Sequence, residues 1–220
     1  MSSQDVLQKL KAGIRRFQNE VYVKNADEYL LAATMPQRPH TLMIACADSR
    51  VDVEAITSSK PGEVFVARNI GNMVPGYGEM MGGVSAVIEY AVAALNVQHV
   101  VVCGHSDCGA MKALLNPSST DQMRAVRNWL RNGEAALQVA DSLAPAEETP
   151  EQRLRRLTEE NVLFQLAHLK THPSVAGAMA RAQLTVSGWI YDIGTGDVRI
   201  AEDGSRDFVS ADEINFVSLE

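Results

Sequence analysis

Positive charge is in short supply. Twenty Lys and Arg stand against 27 Asp and Glu, a formal net charge of −7. With no basic excess to displace counterions from phosphates, nucleic acid is excluded as the expected partner. Long apolar runs are also missing. No stretch approaches the roughly 20 apolar residues that span a bilayer, so no membrane partner is expected. The first 17 residues carry charges at short intervals and have no signal-peptide core; the cytoplasm is the expected compartment. Cysteine is scarce too. Cys46, Cys103 and Cys108 cannot all pair with one another, and no C-x-x-C redox motif occurs. In a reducing compartment such cysteines are structural, catalytic or metal-bound.

What is present is an ordinary globular composition, 46% hydrophobic and 21% charged over 220 residues, enough for one large domain with its own core. Val6, Leu10, Ile14 and Phe17 recur at helical spacing, which predicts an amphipathic helix over about 4–20. A second helical piece runs from Tyr22 to Ala33, before Pro36 and Pro39. This arm, residues 1–38, precedes the first strand and suits packing on a partner subunit. Residues 41–45, 63–67 and 99–103 are short continuous apolar runs, the pattern of strands buried on both faces. An Ala-rich helix over 84–95 lies between the second and third. Strand, helix and strand in that order imply a parallel sheet with right-handed crossovers. Residues 39–115 therefore read as an α/β core. Residues 116–170 read as a polar helical segment interrupted near 144–150. Residues 171–220 supply a short helix over 174–181, a strand over 184–192 and a return strand over 198–201. The whole, 1–220, is read as a single domain: an α/β fold with a parallel-core sheet flanked by helices and a C-terminal antiparallel hairpin strand.

Two polar clusters begin where buried strands end. Cys46-Ala-Asp48-Ser-Arg50 follows the first, and His105-Ser-Asp-Cys108-Gly109 follows the third. Ligands bind at the carboxyl ends of strands in open parallel sheets, so the two clusters can converge. Cys46, His105 and Cys108 would offer two thiolates and an imidazole, a set suited to Zn²⁺, with the fourth tetrahedral position left for catalysis. Each residue taken singly reads more readily as a buried structural side chain; it is the three together, at two strand ends, that point to a metal. Cys103, inside an apolar run, reads as structural. Asp48 and Arg50, two apart in an extended segment, point the same way, and an Arg fork keeps a carboxylate ionised. The rival reading makes Asp48 a helix cap beside a solvated Arg.

These segments resemble the β-class carbonic anhydrases. The resemblance rests on Cys46-Ala-Asp48-Ser-Arg50-Val51, Pro61-Gly62-Glu63, Arg68-Asn69-Ile70-Gly71-Asn72, the helix Ala86–Val92 and Gly104-His105-Ser-Asp-Cys108-Gly109. Asn161-Val162 and Gly188-Trp189-Ile190-Tyr191-Asp192 fit as well. The resemblance implies one zinc per chain on Cys46, His105 and Cys108, and a catalytic dyad of Asp48 and Arg50. It implies reversible hydration of CO₂ to bicarbonate by zinc-bound hydroxide, since zinc lowers the pKa of bound water from about 15.7 to about 7. The Gly109 N–H would hold a bicarbonate oxygen, and Phe65 and Tyr90 would wall the CO₂ cleft. A homodimer or homotetramer is implied, with the N-terminal arm around the partner. So are two states of Asp48: paired with Arg50, or turned onto the metal in a closed form. The open form is expected near neutral pH. Two departures stand out. Met43 takes the place of a Trp that, with an Arg here matched by Arg68, binds bicarbonate in some members. Lys60 takes the place of a substrate-binding Gln. Hydrolysis of CS₂ or COS on the same fold, and a non-catalytic zinc or redox-thiol protein, remain as alternatives.

Overall fold

A computed structural model describes residues 2–79 and 82–214. The end of the expected C-terminal segment, 215–220, lies outside the described residues. The arm comprises α1 (Ser3–Arg16), which runs on through a wider π turn at Phe17–Val21, then α2 (Tyr22–Lys24) and α3 (Ala26–Thr34). The helix begins one residue earlier than the spacing predicts because Ser2 and Asp5 form a reciprocal capping box. Asn25 leaves helical backbone geometry and divides the second piece. Among the described residues the apolar stripe of α1 is left largely uncovered: Leu10 is 61% exposed and Ile14 57%.

The centre is a six-stranded sheet in the order β2-β1-β3-β4-β5-β6. Its strands are β1 (Thr41–Cys46), β2 (Val64–Asn69), β3 (His99–His105), β4 (Thr185–Tyr191), β5 (Val198–Glu202) and β6 (Val209–Ser210). The first four are mutually parallel, and β5 and β6 run antiparallel to them. The expected parallel core and antiparallel return strand are both present, while β6 has no signature in the sequence. The chain steps from β1 to β2 on one side, then crosses to β3 on the other. The strand order therefore reverses at β1.

Continuous apolarity in β1 follows from burial on both faces. Leu42 and Ile44 join Val100, Val102, Val186 and Ile190 beneath α5 (Gly83–Glu89), α9 (Pro150–Lys170) and α10 (Pro173–Ala180). Met43 and Ala45 join Val101 and Cys103 on the opposite face, against Val51 and Val53, Val53 opening α4 (Val53–Thr57). The segment read as polar and helical resolves into α7 (Arg124–Leu130), α8 (Glu134–Ser142) and α9, after α6 (Gly109–Leu115). Its apolar minority is far from idle. Leu130, Ala140 and Leu157 pack with Met111 and Leu114 against Cys46 and Cys108.

α9 starts at Pro150, whose missing N–H costs nothing in the first turn, under a capping box of Thr149 and Gln152. It lies very close to the sheet because two strand positions lack a side chain. A Cβ on Gly188 would stand 2.6 Å from Val162 Cγ1, and one on Gly104 2.8 Å from Val162 Cγ2. Val162 thus seats over two glycines on neighbouring strands. Gly188→Ala should lower stability by about 1–3 kcal/mol through overpacking, read as a reduced urea midpoint at unchanged slope.

Candidate metal centre

Ligands in such sheets bind where strand order reverses, outside the carboxyl ends of the strands. Cys46 is the last residue of β1 and His105 the last of β3, one on each side of that crevice. The chain then turns through Ser106 and Asp107 to Cys108, which caps the start of α6. Donor atoms of Cys46, His105 and Cys108 all lie within 4.8 Å of one another, and all three residues are buried.

The donor set fits a metal. His105 Nδ1 lies 2.8 Å from the Ser106 carbonyl oxygen. A carbonyl only accepts, so Nδ1 carries the proton and Nε2 presents its lone pair to the cluster. Nε2 is buried and has no hydrogen-bond partner among the described residues. A buried acceptor left unmatched is costly in the absence of an ion. The sulfurs are prepared as well. Cys108 and His105 beside it draw the Cys46 thiol well below its ordinary value, against the opposing effect of burial. Cys46 in turn, together with burial, pushes Cys108 up. Cys103 lies two residues before the end of β3, packed with Met43, Ala45 and Val101, and burial pushes its thiol up to about 12. It takes no part in the cluster.

Asp48 reaches the rim of this group, its Oδ2 3.9 Å from His105 Nε2. Arg50 holds it with a two-pronged grip: Nε donates to Oδ1 at 2.9 Å and Nη2 to Oδ2 at 2.8 Å, while the Arg50 backbone N–H adds a third bond at 3.0 Å. These bonds keep the Asp48 carboxyl well below the usual carboxylate range. The helix-cap role falls to Asp52 instead, which accepts from the Ala55 N–H at the start of α4. Of the two arrangements expected for Asp48, the geometry is the one paired with Arg50.

The neighbouring residues are equally specific. Arg68 donates to the carbonyls of Cys46 at 3.0 Å and Asp48 at 2.5 Å, so its guanidinium clamps the segment bearing both residues. Met43 is buried in the opposite face of the sheet. Lys60 pairs with Glu28 of the arm at 2.9 Å. Gly109 opens α6 directly after Cys108. Phe65 and Tyr90 meet each other, ring centroids 6.0 Å apart. They are not brought to the cluster of their own chain: Phe65 precedes Asn69, the register partner of Cys46, by four strand residues, about 13 Å. His99, His168 and His172 are engaged elsewhere, with Thr185 and Ser187, Val74 and Pro75.

Sequence reasoning missed the support under Cys46. Asn161 Nδ2 donates to the Gly71 carbonyl, Gln165 Oε1 accepts from the Val74 N–H, and Trp129 Nε1 donates to the Ile70 carbonyl. Together they fix the turn that follows Asn69, the register partner of Cys46. Asn161-Val162 was visible only as part of the resemblance, and Trp129 carries no local signal.

Fold and site together define a parallel-core α/β protein with a buried three-donor Cys₂His group at its strand-order reversal, flanked by an Arg-held carboxylate. The family model described as carbonic anhydrase matches residues 41–198. A carbonic anhydrase of Pseudomonas aeruginosa is 48% identical over 201 residues, covering 91% of this chain and 90% of that protein. The β-carbonic anhydrase CcaA superposes with a TM-score of 0.89 at 37% identity, over 94% of this chain and 92% of the other. One of two tetrameric β-carbonic anhydrases from Sordaria macrospora gives 0.79 at 31% identity, over 91% and 98%. The chain belongs to the carbonic anhydrase family, in its β class.

Cys46→Ala removes one of three donors. Metal analysis after dialysis against zinc should find about one ion per chain in the parent and in Cys103→Ala, and a small fraction of that in Cys46→Ala.

Proposed function

We propose that this protein catalyses the reversible hydration of CO₂ to bicarbonate and a proton, with one zinc per chain held by Cys46, His105 and Cys108. The observation that carries the reading is the unpartnered, buried Nε2 of His105 facing two thiols, beside a carboxylate that Arg50 keeps ionised. When bound, zinc supplies the Lewis acidity that brings the pKa of a coordinated water to about 7, so that a hydroxide-like nucleophile exists near neutral pH.

The side chains do the rest. Asp48, ionised, has acceptors only. It takes a hydrogen bond from the attacking oxygen and so turns that oxygen's lone pair toward the CO₂ carbon. Arg50 holds Asp48 in that attitude and keeps it off the sulfur and imidazole donors. The Gly109 N–H, at the first turn of α6, donates to a bicarbonate oxygen. Phe65 and Tyr90 form an apolar wall for CO₂ and serve the site of a second copy, since they do not reach their own. The proton leaves to buffer; the three histidines fixed elsewhere do not relay it. A purely structural zinc centre uses four protein donors, and among the described residues only three converge.

The active unit in this reading is a homodimer or homotetramer in the cytoplasm. Support for the oligomer comes from the uncovered stripe of Val6, Leu10, Ile14 and Phe17 on the arm and from the tetrameric relatives of Sordaria macrospora. Removing residues 1–35 should give aggregated or inactive protein, because this removes one face of an apolar contact and exposes the other; a stable, fully active monomer in light scattering would refute the oligomer.

Stopped-flow CO₂ hydration by the zinc-loaded protein, with and without chelator and beside a COS hydrolysis assay, tests the reaction itself. Activity on COS with none on CO₂ would overturn it. Arg50→Ala should retain its zinc yet lose about 100-fold or more in kcat, the scale of losing a positioned proton acceptor.

A further inference from the structure

Asp107 lies between His105 and Cys108, and the reaction as read above makes no use of it. Its backbone is in the left-handed region, φ 61°, where glycine is unstrained and Asn and Asp are the best tolerated of the rest. That turn delivers its carboxylate to Arg50. Asp107 Oδ2 accepts from Arg50 Nη1 at 2.9 Å, and the Asp107 carbonyl lies 3.4 Å from Nη2. Asp107 Oδ1 accepts from Lys112 Nζ. The Arg50 guanidinium is thus bracketed: Asp48 takes Nε and Nη2, and Asp107 takes Nη1. Two carboxylates and two cations alternate, so the row is electrically balanced.

The second bracket matters because Arg50 is half-exposed. The grip of Asp48 occupies only Nε and Nη2 and leaves Nη1 of this half-exposed guanidinium to other partners. A second carboxylate, from a segment 57 residues away, takes that nitrogen and ties the end of β1 to the turn after β3. We propose that Asp107 is a positioning residue: it orients Arg50, and through Arg50 it aims Asp48. The proposal rests on the hydration reading. It assigns Asp107 no contact with substrate.

The left-handed turn makes the idea testable, since glycine suits that backbone at least as well. Asp107→Gly and Asp107→Asn are prepared as zinc-loaded full-length protein. Both should keep the parent's thermal midpoint and zinc content. Asp107→Gly should lose about tenfold in kcat at little-changed KM, as expected for a misaimed group that acts only in the chemical step. Asp107→Asn should recover most of that loss, because its amide oxygen still accepts from Arg50 Nη1. A crystal structure of Asp107→Gly should show the Arg50 guanidinium turned away from at least one Asp48 oxygen. Unchanged kcat with Arg50 undisturbed would overturn the proposal. So would a rise in KM alone, which marks substrate contact, or a loss of activity in proportion to lost zinc, which marks ligand retention. If the parent hydrates no CO₂, the hydration reading fails, and the position of Arg50 in the crystal still decides this one.

Discussion

The parallel pairing of β1 with β3 is the constraint from which the site follows. β2 lies on the far side of β1, so the two segments leaving β1 and β3 diverge from neighbouring strands and open a crevice between them. The register sets Ala45 opposite Cys103. Cys46 and His105 therefore finish at the same end of the sheet although 59 positions separate them in the chain. A slip of one residue would shift Cys46 along β3 and turn its side chain to the other face of the sheet, breaking the donor group.

Two environments meet at that crevice. Beneath the sulfurs is a dry bed of Met73, Met111, Leu114, Leu130 and Leu157, which limits the motion of the donors and keeps water from their inner side. Above them is a row of charge: Asp48, Arg50, Asp107 and Lys112. Buried thiols and an imidazole are tolerable only when each polar atom has a partner. The Ser106 carbonyl serves His105 Nδ1. The remaining lone pair is the one the metal would take. Arg68 and the amides of Asn161 and Gln165 fasten the backbone of the ligand-bearing and supporting turns. The geometry of the donors is thus a property of three chain segments acting together.

Much of this was legible in the sequence, for local reasons. Runs such as 41–45 and 99–103 are apolar at every position because both faces are buried, and length separates them from helices. The donor types announce soft-metal chemistry, and Asp48 and Arg50 are close enough in sequence to pair, although they do so across a tight turn closed by the Val51 N–H on the Asp48 carbonyl rather than along the extended segment expected. Other features depended on distance in space. β6 is two residues long, too short to carry a period. Trp129 and Leu130 read as part of a short mixed helix until the fold brings them to the Ile70 carbonyl and the apolar bed beside Cys46. Asp107 reads as an ordinary turn residue until β1 places Arg50 beside it. By itself the sequence determined which residues can be buried, which can ligate and which strands they terminate, because hydrophobic period and side-chain chemistry are local. Which ends converge, which nitrogen of His105 faces the sulfurs, and which carboxylates share Arg50 were decided by the tertiary structure alone, because those are contacts between segments that sheet order and register bring together.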